Sequence, residues 1–261
     1  MAFTERDGVR LHWQEAGSGT PLLLIMGASW SSKMWYPAVP ALASKHRVIS
    51  FDNRGTGESS TTVDATMSDL AADARAVLDA AGVEKAHVYG VSLGGVIAQQ
   101  LALESPERVL SLTLGCTGVL TADKPRAPKV MRLLYRLPKW LTIGLSKKGL
   151  YGPACPPEKA AADLAVIRAD KADPVGLVAQ QKALRAHSVT LEQTASLTMP
   201  ALVLHGTADP VVKHSWGEEL ANALPDARMI SYEGAGHNYL VAVGERASSD
   251  VLAFLDLVDA G

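Results

Sequence analysis

Cysteine is nearly missing from this chain: 261 residues carry only Cys116 and Cys155. Two widely separated thiols cannot hold a metal cluster by themselves; a disulfide between them is open to the chain, though a reducing compartment disfavours it. Charge of one sign is missing too, with 25 basic against 27 acidic residues and a formal net charge of −2. That balance excludes a general pull toward nucleic acid or an anionic membrane. No apolar run approaches the ~20 residues that span a bilayer, and the opening MAFTERDGVR lacks a signal-peptide core. Metal-ligand spacings, a P-loop and a dinucleotide-type glycine pattern are absent, as are internal repeats and low-complexity tracts. The expectation is a cytoplasmic chain with no cofactor, no metal, no nucleic-acid partner and no membrane contact, its oligomeric state open. Hydrophobic residues at 48% and charged residues at 20% suffice for a sizeable core and exclude general disorder.

What is present is an alternation of strands and helices. VRLHWQEAG (9–17) alternates apolar and polar residues as a half-buried strand does, whereas PLLLIMG (21–27) is continuously apolar, as in a strand buried on both faces. HRVISFD (46–52), KAHVYGV (85–91), RVLSLTLG (108–115), MPALVLHG (199–206) and ARMISYEG (227–234) read as further strands. Between them lie helices at 67–83 and 94–106, then KHSWGEELANAL and a closing ERASSDVLAFLDLV. Such alternation implies parallel βαβ units and a sheet covered by helices on both faces. From about Leu120 to Leu197 the rhythm breaks into helical stretches at 127–138, 156–170 and 173–188, with no strand. This segment is expected to be a helical insertion between two strands of one sheet.

YGVSLGG (89–95) places one serine between glycines where an apolar strand ends and a helix begins. The pattern Gly90-Val91-Ser92-Leu93-Gly94 describes a bend so tight that side chains two residues either side of the serine would collide. A serine held there is a candidate nucleophile, but its hydroxyl needs a neighbouring base. Among seven histidines, His237 follows a strand and a glycine-rich loop and precedes the last helix, the end of the sheet where reactive groups collect. Asp209, just past LVLHG, is the candidate carboxylate to orient it; helix capping is the plainer role for that residue. His12 and His205 read as structural.

These three motifs, in the order Ser92, Asp209, His237, resemble those of the α/β-hydrolase fold superfamily over nearly the whole chain. The resemblance implies a mostly parallel eight-stranded α/β sheet flanked by helices, with a helical cap inserted after the sixth strand. Residues 1–119 and 198–261 would form the core and 120–197 the cap. FDNRGTGESS resembles the family's turn after the fourth strand, where Asp52 and Arg54 are expected to be structural. The oxyanion donors implied are the backbone N–H of Leu93 and that of Ala28, with Gly27 as the fallback; Met26-Gly27 stands where many relatives carry His-Gly. MGASWSSKMW is similar to lidded serine esterases and lactonases of the aclacinomycin methylesterase and enol-lactonase kind.

The implied activity is hydrolysis of a carboxylic ester or lactone through an acyl-enzyme, the substrate small to medium and fairly apolar. C–C bond hydrolysis, perhydrolysis and a receptor role with slow hydrolysis stay open. Trp30, Trp35, Met131, Tyr135, Trp140 and Tyr239 are candidates to line a pocket between sheet and cap, with core packing as the alternative for each. From Lys124 to Lys148 there are eight basic residues and no acidic one, read as a solvated helix face.

Overall fold

The structure, a computed structural model, describes residues 2–124 and 150–261. Eight strands form one sheet: β1 (Ala2–Arg6), β2 (Val9–Ala16), β3 (Pro21–Ile25), β4 (Arg47–Phe51), β5 (Ala86–Val91), β6 (Val109–Gly115), β7 (Ala201–Gly206) and β8 (Ala227–Tyr232). Their order is β1-β2-β4-β3-β5-β6-β7-β8. β1 and β2 pair antiparallel, as do β2 and β4, and every other neighbouring pair is parallel. The first strand was not foreseen: AFTER joins β2 through a hairpin at Asp7-Gly8, where both residues have positive φ (50° and 75°). An Asp-Gly pair is a strong two-residue hairpin signal, and here it outweighs the charge of the opening segment.

The helices are α1 (Val39–Leu42), α2 (Met67–Ala80), α3 (Leu93–Glu104), α4 (Pro157–Ala169), α5 (Pro174–Ala186), α6 (Leu191–Ala195), α7 (His214–Ala223), α8 (Tyr239–Ala242) and α9 (Gly244–Asp259). Sequence signals set their starts. Thr66 and Asp69 exchange side-chain and backbone bonds as a capping box before α2, and the Asp173 carboxylate caps α5 on the Val175 N–H.

Side chains of each central strand alternate between two apolar layers. Leu23, Ile25 and Val88 pack with α2 and α3 on one face. Leu22, Leu24 and Tyr89 pack with Trp35, Val251 and Phe254 on the other. Because both faces are covered, β5 and β7 are buried along their whole length, which is why they read as apolar runs.

Between β6 and β7 the described residues form α4, α5 and α6; the extended pairing there is a bridge between Thr56 and Ala172. The expected helix over 127–138 lies outside the described residues, as do Met131, Tyr135 and Trp140. Among the described residues no helix is long and apolar enough to cross a membrane.

Candidate active site

Ser92 sits where β5 turns into α3, with φ 57° and ψ −119°. A positive φ on a residue with a β-carbon is strained, by about 1–3 kcal/mol, and survives only where surrounding structure enforces it. Here the Ser92 N–H donates to Gly115 O at 2.8 Å, and its carbonyl accepts from Gly95 N and Val96 N as the first turn of α3 closes. The flanking glycines are a steric necessity. A β-carbon on Gly90 would strike the Gly94 carbonyl, and one on Gly94 would strike the Ile25 carbonyl.

His237 lies in the loop between β8 and α8. Its Nδ1–H donates to Asp209 Oδ2 at 2.7 Å, and its Nε2 is 3.0 Å from Ser92 Oγ. A carboxylate can only accept, so the proton belongs on Nδ1 and Nε2 is left to accept from the serine hydroxyl. Asp209 is held from its other side: Oδ1 accepts from Val211 N at 2.8 Å and Val212 N at 3.0 Å. Burial alone would raise the Asp209 carboxyl. The attraction of His237, with hydrogen bonds from His205, His237 and Val212, overrides it and holds the carboxyl well below the usual range. The Asp209 side chain has no exposed surface, while that of His237 keeps 12%. The relay thus runs from a buried charge out to a half-buried serine, the arrangement a serine hydroxyl needs to attack an acyl carbon at neutral pH.

The loop after β3 lies beside this serine. A β-carbon placed on Gly27 would stand 3.3 Å from Ser92 Cβ and 3.9 Å from its Oγ. The N–H groups of Ala28 and Leu93 donate to no described residue. The aromatic candidates separate. Trp35 and Tyr239 have no exposed surface. Trp35 packs edge-on to Tyr89 at 4.8 Å between ring centres, and the Tyr239 hydroxyl bonds that of Tyr89 at 2.6 Å. Both pack within the core in this structure, the alternative reading weighed for each. Trp30 is half-buried against the same apolar layer. Two surface clefts, one along Leu191 to Ala195 and Glu218 to Ala223, the other along Asp64 to Asp69 and Lys182 to Val189, are lined by none of the three site residues.

Asp52 and Arg54 have structural work. Asp52 accepts from Ser32 N, Ser32 Oγ and Glu58 N and lies 2.9 Å from His12 Nδ1. Arg54 makes a two-pronged pair with buried Asp73, both bonds 2.6 Å. His205, read as structural, does more than fill the core: its Nε2–H donates to Val212 O at 3.0 Å and lies 3.5 Å from Asp209 Oδ2. The His-x-x-x-Asp spacing of 205 and 209 was the available signal.

Both cysteines are free. Cys116, His205 and Asp209 bring ligand-type atoms within 4.8 Å of one another, as do His46, His87 and Asp259 at the opposite end of β5. Both oxygens of Asp209 are already engaged by His237 and backbone N–H groups, and His87 is spoken for by Ser111 and Asp259. The Asp209 and His87 donors are therefore used in hydrogen bonds within the fold, whereas His46 Nε2 and His205 Nδ1 have no hydrogen-bond partner among the described residues.

The sequence pattern of the alpha/beta hydrolase fold matches residues 20–241. The chain is 29% identical over 274 residues to a provisionally assigned carbamate hydrolase, RutD, of Azorhizobium caulinodans, covering 99% of this chain and 100% of that one. It is 30% identical over 226 residues to 3-oxoadipate enol-lactonase 1 of Acinetobacter baylyi, covering 84% and 83%. An esterase of Thermogutta terrifontis superposes with a TM-score of 0.86 at 26% identity, covering 98% of this chain and 97% of that one. With the pattern matched over most of its length and an eight-stranded, mostly parallel sheet, the chain belongs to the α/β-hydrolase fold family.

Proposed function

We propose that this chain hydrolyses a carboxylic ester or lactone of a small to medium, fairly apolar substrate through an acyl-enzyme. The observation that carries the reading is the relay of 2.7 Å and 3.0 Å from Asp209 through His237 to Ser92. Ser92 Oγ attacks the acyl carbon while His237 Nε2 takes its proton, and Asp209 stabilises the imidazolium. The tetrahedral oxyanion is held by the N–H groups of Leu93 and Ala28, each such donor contributing on the order of 100- to 1,000-fold in rate. Collapse returns the proton to the leaving alkoxide, and water, activated by the same histidine, releases the acid.

An acyl carbon as the target is supported by the relatives' names, among them an enol-lactonase, an esterase and a provisionally assigned carbamate hydrolase. The division into a core of 1–119 and 198–261 and an inserted cap of 120–197 belongs to the same proposal. Steady-state turnover of nitrophenyl esters of increasing acyl length, beside a panel of small lactones, tests it. Turnover that vanishes in Ser92→Ala supports the reading, and the preferred chain or ring sizes the pocket. Equal turnover by wild type and Ser92→Ala overturns it.

A further inference from the structure

The loop that carries His237 is not held by the sheet alone. On either side of the histidine its backbone bonds to the segment that leads into α4: Gly236 N donates to Tyr151 O at 2.8 Å and Asn238 N to Leu150 O at 2.6 Å. A third bond runs the other way, from Ala154 N to Gly234 O at 3.0 Å. The approach is so close that a β-carbon on Gly152, at φ 71°, would strike Gly234 O and Gly236 N. Within α4, Asp163 has no exposed surface. Its Oδ2 accepts from Asn238 Nδ2 at 2.9 Å and Tyr151 OH at 2.8 Å, and its Oδ1 accepts from Tyr36 OH at 2.9 Å.

We propose that Asp163 is a positioning residue for His237, its carboxylate clasping Asn238, Tyr151 and Tyr36 so that the inserted helix fixes the ring nitrogen against Ser92. This rests on the hydrolase reading above. The insertion grips the front loop in the same manner: Asp170 accepts from Ser31 N, and Gln180 Oε1 accepts from Ser29 N. Both loops that flank the nucleophile are therefore bonded to chain between β6 and β7, and the site is complete only when the insertion is seated. Burial raises the Asp163 carboxyl despite its three hydrogen bonds, so ionising it within the fold carries a cost.

The test is the second-order rate constant for labelling by an alkyl fluorophosphonate. That probe forms a P–Oγ bond with loss of fluoride as the serine proton passes to the base. Wild type, Ser92→Ala, Asp163→Asn, Asn238→Ala and the Asp163→Asn/Asn238→Ala double variant are compared, with the labelling end-point giving the folded fraction. Asp163→Asn is expected to slow labelling about 10-fold or more at full end-point, since small misplacements of a catalytic group cost up to about 100-fold. The double variant is expected to be no slower than the slower single, because both remove one shared bond. A reduced end-point with an unchanged rate constant would mean a structural role only and overturns the proposal. So does a wild-type rate constant in Asp163→Asn, or losses that multiply in the double variant. Should Asp163→Asn not fold, Asn238→Ala decides alone by the same criterion. If wild type is not labelled at Ser92, the hydrolase reading fails first and this inference falls with it.

Discussion

His237 Nε2 stands 3.0 Å from Ser92 Oγ although 145 positions separate the two residues. The sheet makes that contact. β5 delivers the serine at its carboxyl end, and three strands further along, β8 delivers the loop that bears the histidine. Asp209, from the loop after the intervening β7, completes the line.

Asp209→Asn tests the tautomer argument. An amide at this position can donate to Nδ1 and so place the proton on the wrong nitrogen, leaving Nε2 unable to accept from Ser92. The fall in kcat is expected to be about 10,000-fold, on the precedent of serine triads. Circular dichroism should remain that of the wild type, because Val211 N and Val212 N still find an acceptor oxygen. A loss below 10-fold, roughly, would contradict the assignment of Asp209 as the orienting acid.

Gly94→Ala tests the steric argument at the bend. The new methyl group would strike the Ile25 carbonyl, so β3 and α3 must separate or the bend must open. Overpacking of this kind typically costs about 1–3 kcal/mol, read as a lower denaturation midpoint, and displaces Ser92 from His237. A variant with unchanged midpoint and unchanged turnover would show that the bend tolerates a β-carbon.

The buried Asp163 predicts a pH signature in stability. Its carboxyl is raised in the folded protein, chiefly by burial, so the folded state holds that proton more tightly than the unfolded chain does. Stability from this group is full below the unfolded value of about 3.9 and is lost as pH rises through the folded value. Asp163→Asn removes the titration. The Tm of the variant minus that of wild type should therefore become more positive between acid and neutral pH. A difference that is flat or falls over that interval would contradict the raised carboxyl.

Much of this was legible in the sequence because it is local. The apolar runs of β3, β5 and β7 follow from burial on both faces, and Gly90-x-Ser92-x-Gly94 spells out a bend that only glycine allows. Other features were hidden for definable reasons. β1 was masked by its charges, although Asp7-Gly8 marked the hairpin. Trp35 and Tyr239 carry the same aromatic signature whether they face a pocket or Tyr89, and the side they face is set by neighbouring strands. The bond from Asn238 to Asp163 joins residues 75 positions apart on two irregularly connected elements, and no periodicity announces such a contact.

The measurement that bears most directly on the central claim is the intact mass of the protein quenched during turnover of a slowly deacylating nitrophenyl ester, with peptide mapping of the adduct. Wild type should gain the mass of one acyl group, located on Ser92, together with a burst of nitrophenol equal to the enzyme concentration. Ser92→Ala should gain none. Nitrophenol release with no adduct on Ser92, or an adduct that persists in Ser92→Ala, would contradict the acyl-enzyme account.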